Sequence, residues 1–347
     1  MTRKFWRTDG DFDEESWAVP YNPSMHPRLL VQYVTLLAWV FACSTAAVGQ
    51  TYPAKLVKFV MPAAPGSAPD RVSRVLADRL GTQWGVPVVV ENRPGGTGTV
   101  GSEYVARSAP DGYTVLFAFT SVIQAPALLP KVPYDIERDF QAVSLVARTP
   151  IVLVVRADSP FRTLADFVNA ARGGAPASYG TFGNGSSYHI YGETFKRAAN
   201  IELIHVPYKG EALALTDLLG GQILSSFGSV GLTSPHIRAG KVRALGVVAP
   251  ARSPALPDVP TFTEQGYPKL DVVGWFGVLV PAATPRAVVE KLSADINGVM
   301  AREDVAKPLR DSGIEPVGTT PDRYAEILRT DTAKWRQMIQ EAGIRAD

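Results

Sequence analysis

Short apolar runs of the strand type alternate with stretches of helical periodicity from Leu56 onward. The run LVKFVMP begins there, and apolar residues at helix spacing follow it, at Val72, Val75, Leu76 and Leu80. The runs VPVVVEN and YTVLFAF repeat the strand pattern, with a short helical stretch between them. Because helices that alternate with strands connect parallel neighbours, the pattern predicts an α/β fold with parallel sheets covered by helices.

A second series of the same kind begins at Ile151 with IVLVV and closes with VRALGVV. A proline-rich stretch follows from Pro250 to Pro260, and WFGVLVP then leads into helical periodicity. The last helix is predicted to begin with Thr320 as its N-cap and Pro321 at its first position. We therefore predict a first domain over residues 50–150, a second domain over residues 151–273, and a return to the first domain over residues 274–347.

Residues 1–49 are predicted to be an N-terminal extension and a signal peptide. Leu29 to Cys43 form a mostly apolar run of 15 residues, which small residues follow up to Gly49. A membrane-spanning helix needs about 20 residues, so this run has the length of a signal sequence. We expect cleavage near Gly49/Gln50 and export to the periplasm. An uncleaved anchor, lipidation at Cys43 and a translation start at Met25 stay open as alternatives.

The composition is that of a soluble globular protein, with 46% hydrophobic and 20% charged residues. Thirty-five Lys and Arg residues stand against 33 Asp and Glu residues, so the net charge is +2, and no basic block marks a nucleic-acid partner. One cysteine, Cys43, and four histidines form no cluster at metal-ligand spacing. We therefore predict no metal, no cofactor and no nucleic-acid partner.

Enzyme motifs are weak in this chain. Gly96 to Gly101 spell G-x-G-x-x-G, but four residues separate the preceding strand from the first glycine, and no acidic residue is placed for a ribose hydroxyl. We interpret this run as a structural glycine turn. No G-x-S-x-G or H-E-x-x-H motif accompanies His189, His205 and His236. No catalytic residue is predicted, and a secreted α/β hydrolase or oxidoreductase stays as the alternative.

Small-residue loops where strands lead into helices form the candidate ligand site. One loop runs from Pro62 to Asp70, and Gly183 to Ser187 form a second loop with added hydroxyl groups. The first N–H groups of a helix lack intrahelical partners and carry about half a positive charge, so they bind a carboxylate without a buried Arg or Lys. Thr120-Ser121 and Tyr208-Lys209 supply further polar groups after strands, where open α/β sheets bind their ligands.

A series of short motifs, taken in order, resembles one family. They include Pro65-Gly66, Glu91-Asn92-Arg93-Pro94-Gly95, Asp111-Gly112-Tyr113, Gly183-Asn184-Gly185, His205-Val206-Pro207-Tyr208-Lys209-Gly210, Pro257-Asp258-Val259-Pro260-Thr261 and Trp275-Phe276-Gly277. From about Tyr52 to Ile344 the chain resembles the substrate-binding proteins of tripartite tricarboxylate transporters, the Bug family of periplasmic receptors.

The resemblance implies a type II two-domain periplasmic-binding-protein fold, with the ligand in the cleft between the domains. It also implies a receptor that captures a small carboxylic acid and delivers it to the permease subunits of a membrane transporter, with a monomer as the default state. The expected ligand-binding residues are Ala64, Gly66, Ser67, Asp70, Thr120, Ser121, Gly183, Gly185, Ser186, Ser187, Tyr208 and Lys209.

The chain departs from the family pattern at four positions near the expected cleft. Ser67 stands where a second glycine is common, and Leu224 stands where an Asp is usual. Val122 and Ala125 occupy positions at which a His and an Asn are often found. These changes leave the resemblance intact but leave the identity of the acid open. The effector domain of a transcription regulator, which can share this fold, is a third interpretation, and the predicted signal peptide argues against it.

Overall fold

The computed structural model describes residues 52–174 and 177–345. These residues belong to one compact unit. The predicted signal peptide, its cleavage point, Met25 and Cys43 lie outside the described residues. Within the described part of the chain, no helix is both long enough and apolar enough to cross a membrane.

Six strands form the first sheet. They are β1 (Val57–Met61), β2 (Val88–Asn92), β3 (Thr114–Phe119), β4 (Phe140–Thr149), β10 (Gly274–Pro281) and β11 (Glu315–Pro316). Their order across the sheet is β11-β4-β10-β3-β1-β2. β1 pairs in parallel with β2 and with β3, so Phe59 lies between Val90 and Val115. β10 is antiparallel to both of its neighbours, β3 and β4.

Five strands form the second sheet. They are β5 (Ile151–Arg156), β6 (Ser178–Thr181), β7 (Ile204–Pro207), β8 (Ser225–Ser229) and β9 (Val242–Val248), in the order β7-β6-β8-β5-β9. β6 is parallel to β7 and β8, whereas β5 is antiparallel to β8 and β9. All strands of this sheet come from residues 151–248, and those of the first sheet come from residues 57–149 and 274–316. The domain boundaries near residues 150 and 274 stay a prediction.

The expectation of purely parallel sheets is wrong, because both sheets are mixed. The parallel pairs are those joined by a helical connection, as the alternation of strands and helices predicted. The antiparallel pairs all involve β4, β5, β9 or β10, the strands closest to the two passages of the chain between the sheets. A strand that enters a sheet from the other half of the molecule does not arrive through a helical crossover, so no crossover requires it to run parallel.

Ten α-helices are present in the described part of the chain. They are α1 (Ala68–Trp84), α2 (Thr99–Ala106), α3 (Ser121–Leu128), α4 (Leu164–Arg172), α5 (Ser187–Ala199), α6 (Glu211–Leu219), α7 (Val230–Arg238), α8 (Arg286–Ala301), α9 (Glu303–Asp311) and α10 (Pro321–Ala342). The predicted start of α10 is confirmed, because the Thr320 hydroxyl accepts a hydrogen bond from the Arg323 amide at 3.3 Å. Gly343 ends this helix in the left-handed conformation.

Helix α10 packs against elements of both halves of the molecule. It contacts α3 and β4 on the side of the first sheet and α5 on the side of the second sheet. Trp335 is fully buried, and its ring centroid lies 5.1 Å from that of Tyr191 in α5. The Tyr191 hydroxyl donates to the carbonyl of Val272 at 2.6 Å. The two sheets therefore share a continuous hydrophobic core at this helix.

Candidate functional site

Four segments follow strands at their carboxyl ends and form the candidate site. The first loop (residues 62–70) follows β1, and the second loop (residues 182–187) follows β6. Thr120 and Ser121 lead from β3 into α3, and Tyr208 and Lys209 lead from β7 toward α6. In open α/β sheets, ligands bind beyond the carboxyl ends of the strands, so this placement is the one that a ligand site requires.

Asp70 holds the first loop in place and is only 1% exposed. Its Oδ2 accepts hydrogen bonds from the Gly66 amide at 2.8 Å and from Arg74 Nε at 3.0 Å, and its Oδ1 accepts one from Asn92 Nδ2 at 2.8 Å. Burial alone would raise the pKa of Asp70, but these hydrogen bonds hold it below its ordinary value. The carboxylate is engaged by protein groups and thereby fixes the shape of the loop.

Backbone amides without partners lie at the helix starts of both loops. The amides of Ala68 and Asp70 at the start of α1 make no hydrogen bond with the described residues. The same holds for the amides of Ser187 and Tyr188 at the start of α5. In the first loop, Ala64 and Gly66 are exposed, and the Ser67 hydroxyl donates to the Ala64 carbonyl at 2.8 Å. These amides are the donors that a carboxylate could use.

The second loop depends on glycine for its shape. Gly183 has a φ of 138° and Gly185 a φ of 68°, and L side chains rarely adopt either conformation. The Ser186 hydroxyl donates to the Gly183 carbonyl at 2.7 Å and accepts a hydrogen bond from the His189 amide at 3.3 Å, which caps α5. The loop is therefore held in a turn that leaves the amides of Ser187 and Tyr188 free.

Two histidine rings stack beside the second loop. The centroids of His189 and His205 lie 3.9 Å apart, with 9° between their planes. His189 Nδ1 accepts the Gly185 amide at 3.2 Å, and His205 Nε2 lies 2.7 Å from the Thr181 hydroxyl. Burial lowers the pKa of both rings, and the neighbouring His189 lowers the pKa of His205 further, to about 4. The pair is therefore neutral at pH 7, so Nδ1 of His189 can accept the loop amide.

A hydrogen-bonded pair joins the two halves of the molecule at the site. Gln124 in α3 is 1% exposed, and its Nε2 donates to the Ser187 hydroxyl at 3.0 Å. The Ser187 hydroxyl in turn donates to Gln124 Oε1 at 3.3 Å. Val122 and Ala125, where the resemblance implies polar residues, are fully buried, and Gln124 is the buried polar side chain of this helix.

The remaining predicted site residues differ in their exposure and in their hydrogen-bond partners. Thr120 is buried, and its hydroxyl accepts the Trp275 amide at 2.8 Å, which ties the start of α3 to β10. The Tyr208 hydroxyl donates to Asp217 at 2.8 Å, so it points to α6. Ser121 is half-buried and Lys209 is exposed.

The glycine-rich run from Gly96 to Gly101 forms a turn that packs beside the first loop. A Cβ on Gly101 would lie 2.9 Å from the Cβ of Pro62, where the first loop begins. A Cβ on Gly98 would lie 3.6 Å from both Pro62 and Val122. The run therefore allows the first loop, the turn and α3 to approach closely. The structure thus brings the first loop close to α3, and Gln124 joins α3 to the second loop.

Three residues of this region were not predicted to belong to the site. Gln124 carried a signal in the sequence, since it is a polar residue inside the apolar helix SVIQAPAL. His189 and His205 had no such signal, because 16 positions separate them along the chain and they lie on different elements, His189 in α5 and His205 in β7.

The chain matches a family model over residues 72–344, and the family is described as tripartite tricarboxylate transporter family receptor. It is similar to a protein encoded in the tcbD-tcbE intergenic region of Pseudomonas sp. strain P51, with 39% identity over 85% of this chain and 89% of the relative. It is also similar to BugT of Bordetella pertussis, with 33% identity over 85% of this chain and 91% of that protein.

Solved structures show the same architecture. A periplasmic transporter is 36% identical with a TM-score of 0.72, covering 85% of this chain and 100% of that one. The R. palustris protein Rpa4515, solved with adipate, is 31% identical with a TM-score of 0.72, covering 85% of this chain and 99% of that one. The fold and the site thus define a two-domain solute-binding protein. The chain belongs to the tripartite tricarboxylate transporter receptor family, which includes the Bug proteins.

Proposed function

We propose that the protein is an extracytoplasmic receptor that captures a small carboxylic acid in the cleft between its two domains. The observation that supports this most directly is the pair of helix starts whose free amides follow the first and second loops. Such amides bind an anion without a buried cation. A family member of the same fold was solved with adipate, which is a small carboxylic acid.

We further propose that the receptor delivers the acid to the permease subunits of a tripartite transporter. Residues 1–49 would direct export and be removed near Gly49/Gln50, and the receptor would act in the periplasm as a monomer. The family description supports a receptor role, so the alternative of a secreted hydrolase or oxidoreductase is not favoured. The ligand would leave the protein chemically unchanged.

Calorimetric titration of the purified protein with adipate, other dicarboxylates, monocarboxylates and tricarboxylates tests the proposal. We expect one acid to bind and to be recovered unchanged after the protein is denatured. Conversion of the acid by the protein, or binding of none of these acids, would contradict the proposal.

The Ser187→Trp variant tests the position of the site. A bulky ring at the start of α5 would block the free amides and displace Gln124, so we expect affinity to fall by about tenfold or more, a loss of about 1.4 kcal/mol. Ala301→Trp, at an exposed position that ends α8, is the matched control and should leave affinity unchanged. If the Ser187→Trp protein is folded and binds with unaltered affinity, the ligand binds at another place.

A further inference from the structure

A cavity lies between α10 and the segments that connect the two sheets. Its volume is about 300 Å³, and we call it the crossing cavity. Its walls include Arg148 near the end of β4, Trp275 in β10, Asp331 in α10, and Pro250, Asp271 and Val272 from the connecting segment between β9 and β10. Apart from the backbone amide of Trp275, which donates to Thr120, none of these residues belongs to the candidate site described above.

The charges around the crossing cavity balance. Three cationic side chains, Arg148, Arg323 and Lys334, face three acidic ones, Asp271, Glu326 and Asp331. Lys334 Nζ lies 2.6 Å from Asp271, and Arg323 pairs with Glu326. A lining with no net charge offers little attraction to an anion, so this cavity differs in chemistry from a carboxylate site.

Two opposite charges of the lining are left without an ion-pair partner. Arg148 and Asp331 form no salt bridge within the described residues, although both line the same cavity. The indole N–H of Trp275 is buried, in a side chain that is 1% exposed, and it lies near the Asp331 carboxyl group without forming a well-aligned hydrogen bond. A buried donor of this kind costs free energy unless something accepts its hydrogen bond.

Burial raises the pKa of Asp331 to about 6, against the opposing effects of Lys334, Trp275 and Arg148. Asp271 raises it further as a neighbouring negative charge. At neutral pH the carboxyl group is therefore ionised but poorly compensated. A cation in the cavity would stabilise this ionised form.

We propose that the crossing cavity binds a small zwitterion, whose ammonium group pairs with Asp331 and whose carboxylate pairs with Arg148. The cavity lining includes Val272 and Val273, which lead directly into β10 where the chain returns to the first sheet. A ligand held there contacts a segment that connects the two halves, so it is placed to alter affinity at the cleft.

Titration of protein labelled with ¹⁵N-tryptophan tests this site, with the Trp275 indole N–H signal as the reporter. The probes are L-alanine and 4-aminobutanoate as zwitterions, succinate as a dianion and 1,4-diaminobutane as a dication. The variant Trp275→Phe identifies the signal among the six tryptophans of the chain. We expect a saturable shift with at least one zwitterion and no saturable shift with the dianion or the dication.

The variants Arg148→Gln and Asp331→Asn should each weaken zwitterion binding by about tenfold or more, because each removes one charge-assisted hydrogen bond. Arg329→Gln, exposed on the same helix, is the matched control and should bind normally. Ser187→Trp should leave the Trp275 shift intact, which separates this site from the proposed carboxylate site. The proposal is wrong if neither zwitterion shifts the signal, if the dianion shifts it equally, or if Arg148→Gln and Asp331→Asn bind like the parent protein.

Discussion

At the scale of single residues, the polar side chains of the site hydrogen-bond to the loops and fix their shape. Asp70, predicted to contact the ligand, is engaged by Gly66, Arg74 and Asn92. The stacked pair of His189 and His205 is neutral at pH 7 and accepts a hydrogen bond from the second loop. Protonation of His189 would turn Nδ1 into a donor that faces the Gly185 N–H, so the loop depends on the neutral form.

The histidine pair predicts a pH dependence of stability. The pKa of His205 is about 4 in the folded protein, against 6.5 ordinarily, so between these values the unfolded chain binds a proton that the folded protein does not. The stability that the neutral His205 ring contributes is therefore fully present above about pH 6.5 and is lost as the pH falls toward 4. Because the ring is only partly buried, solvent screening reduces the effect, and we expect a loss of about 1–2 kcal/mol.

Urea unfolding at pH 7 and pH 5 measures this loss. His205→Phe removes the titrating ring, so the difference in the free energy of unfolding between the two pH values should become smaller. His236→Phe, in the last turn of α7, is the control and should keep the original difference. An unchanged difference in His205→Phe would show that the pair does not carry the effect.

At the scale of elements, α5 is fitted closely onto β6 through a glycine. A Cβ on Gly192 would lie 2.1 Å from Cε2 of Tyr179, whose hydroxyl donates to Glu193 at 2.7 Å. The helix that begins at the second loop is thus fixed against the strand that leads into that loop. The absence of a side chain at Gly192 decides how closely the two elements approach.

The Gly192→Ala variant should destabilise the protein, although alanine favours helix formation by about 1 kcal/mol over glycine. The added methyl group would displace the Tyr179 ring, and overpacking of this kind costs about 1–3 kcal/mol. Gly298→Ala in α8 is the matched control, because nothing lies within 4 Å of its Cβ position. Thermal unfolding should show a lower melting temperature for Gly192→Ala and an equal or higher one for Gly298→Ala. Equal stability of the two variants would refute the close fit.

At the scale of the whole molecule, both apolar and polar contacts join the halves. Helix α10 provides an apolar contact, with Trp335 packed on Tyr191. Gln124 and Ser187 provide a polar contact at the site itself, between α3 and α5. Breaking the buried apolar contact is costly because it exposes apolar surface to water. A hydrogen bond can instead be exchanged for one with water or with a ligand. The polar contact is therefore the one that opening of the cleft would break first.

Gln124→Met removes this polar contact while conserving side-chain size. A hydrogen bond contributes about 1 kcal/mol net, so the equilibrium should shift by about fivefold toward the open form. Hydrogen–deuterium exchange without ligand should become faster at residues 186–195, while β1 stays unchanged. Gln337→Met, exposed on α10, should match the parent protein. Identical exchange in Gln124→Met would show that the pair does not restrain opening.

Much of the fold was predictable because hydrophobic periodicity is a local property. The runs at β1, β2, β3 and β10, and the capped start of α10, lie where the pattern placed them. Helix α3 was not predicted, since Pro126 lies inside it and Thr120-Ser121 suggested a loop. The antiparallel strands were not predicted either, because strand direction depends on partners that are distant along the chain.

The sequence by itself determined the α/β class, the order of most elements, the family and the loops at the strand ends, because each depends on short-range patterns and motifs. Only the tertiary structure decided which side chains meet. Gln124 and Ser187 are 63 positions apart and form a hydrogen bond. Arg148 and Asp331 line one cavity, although the whole second sheet lies between them along the chain. Such pairs arise where α3 meets α5 and where α10 packs on β4, and no local pattern encodes an arrangement that forms only after both sheets have packed.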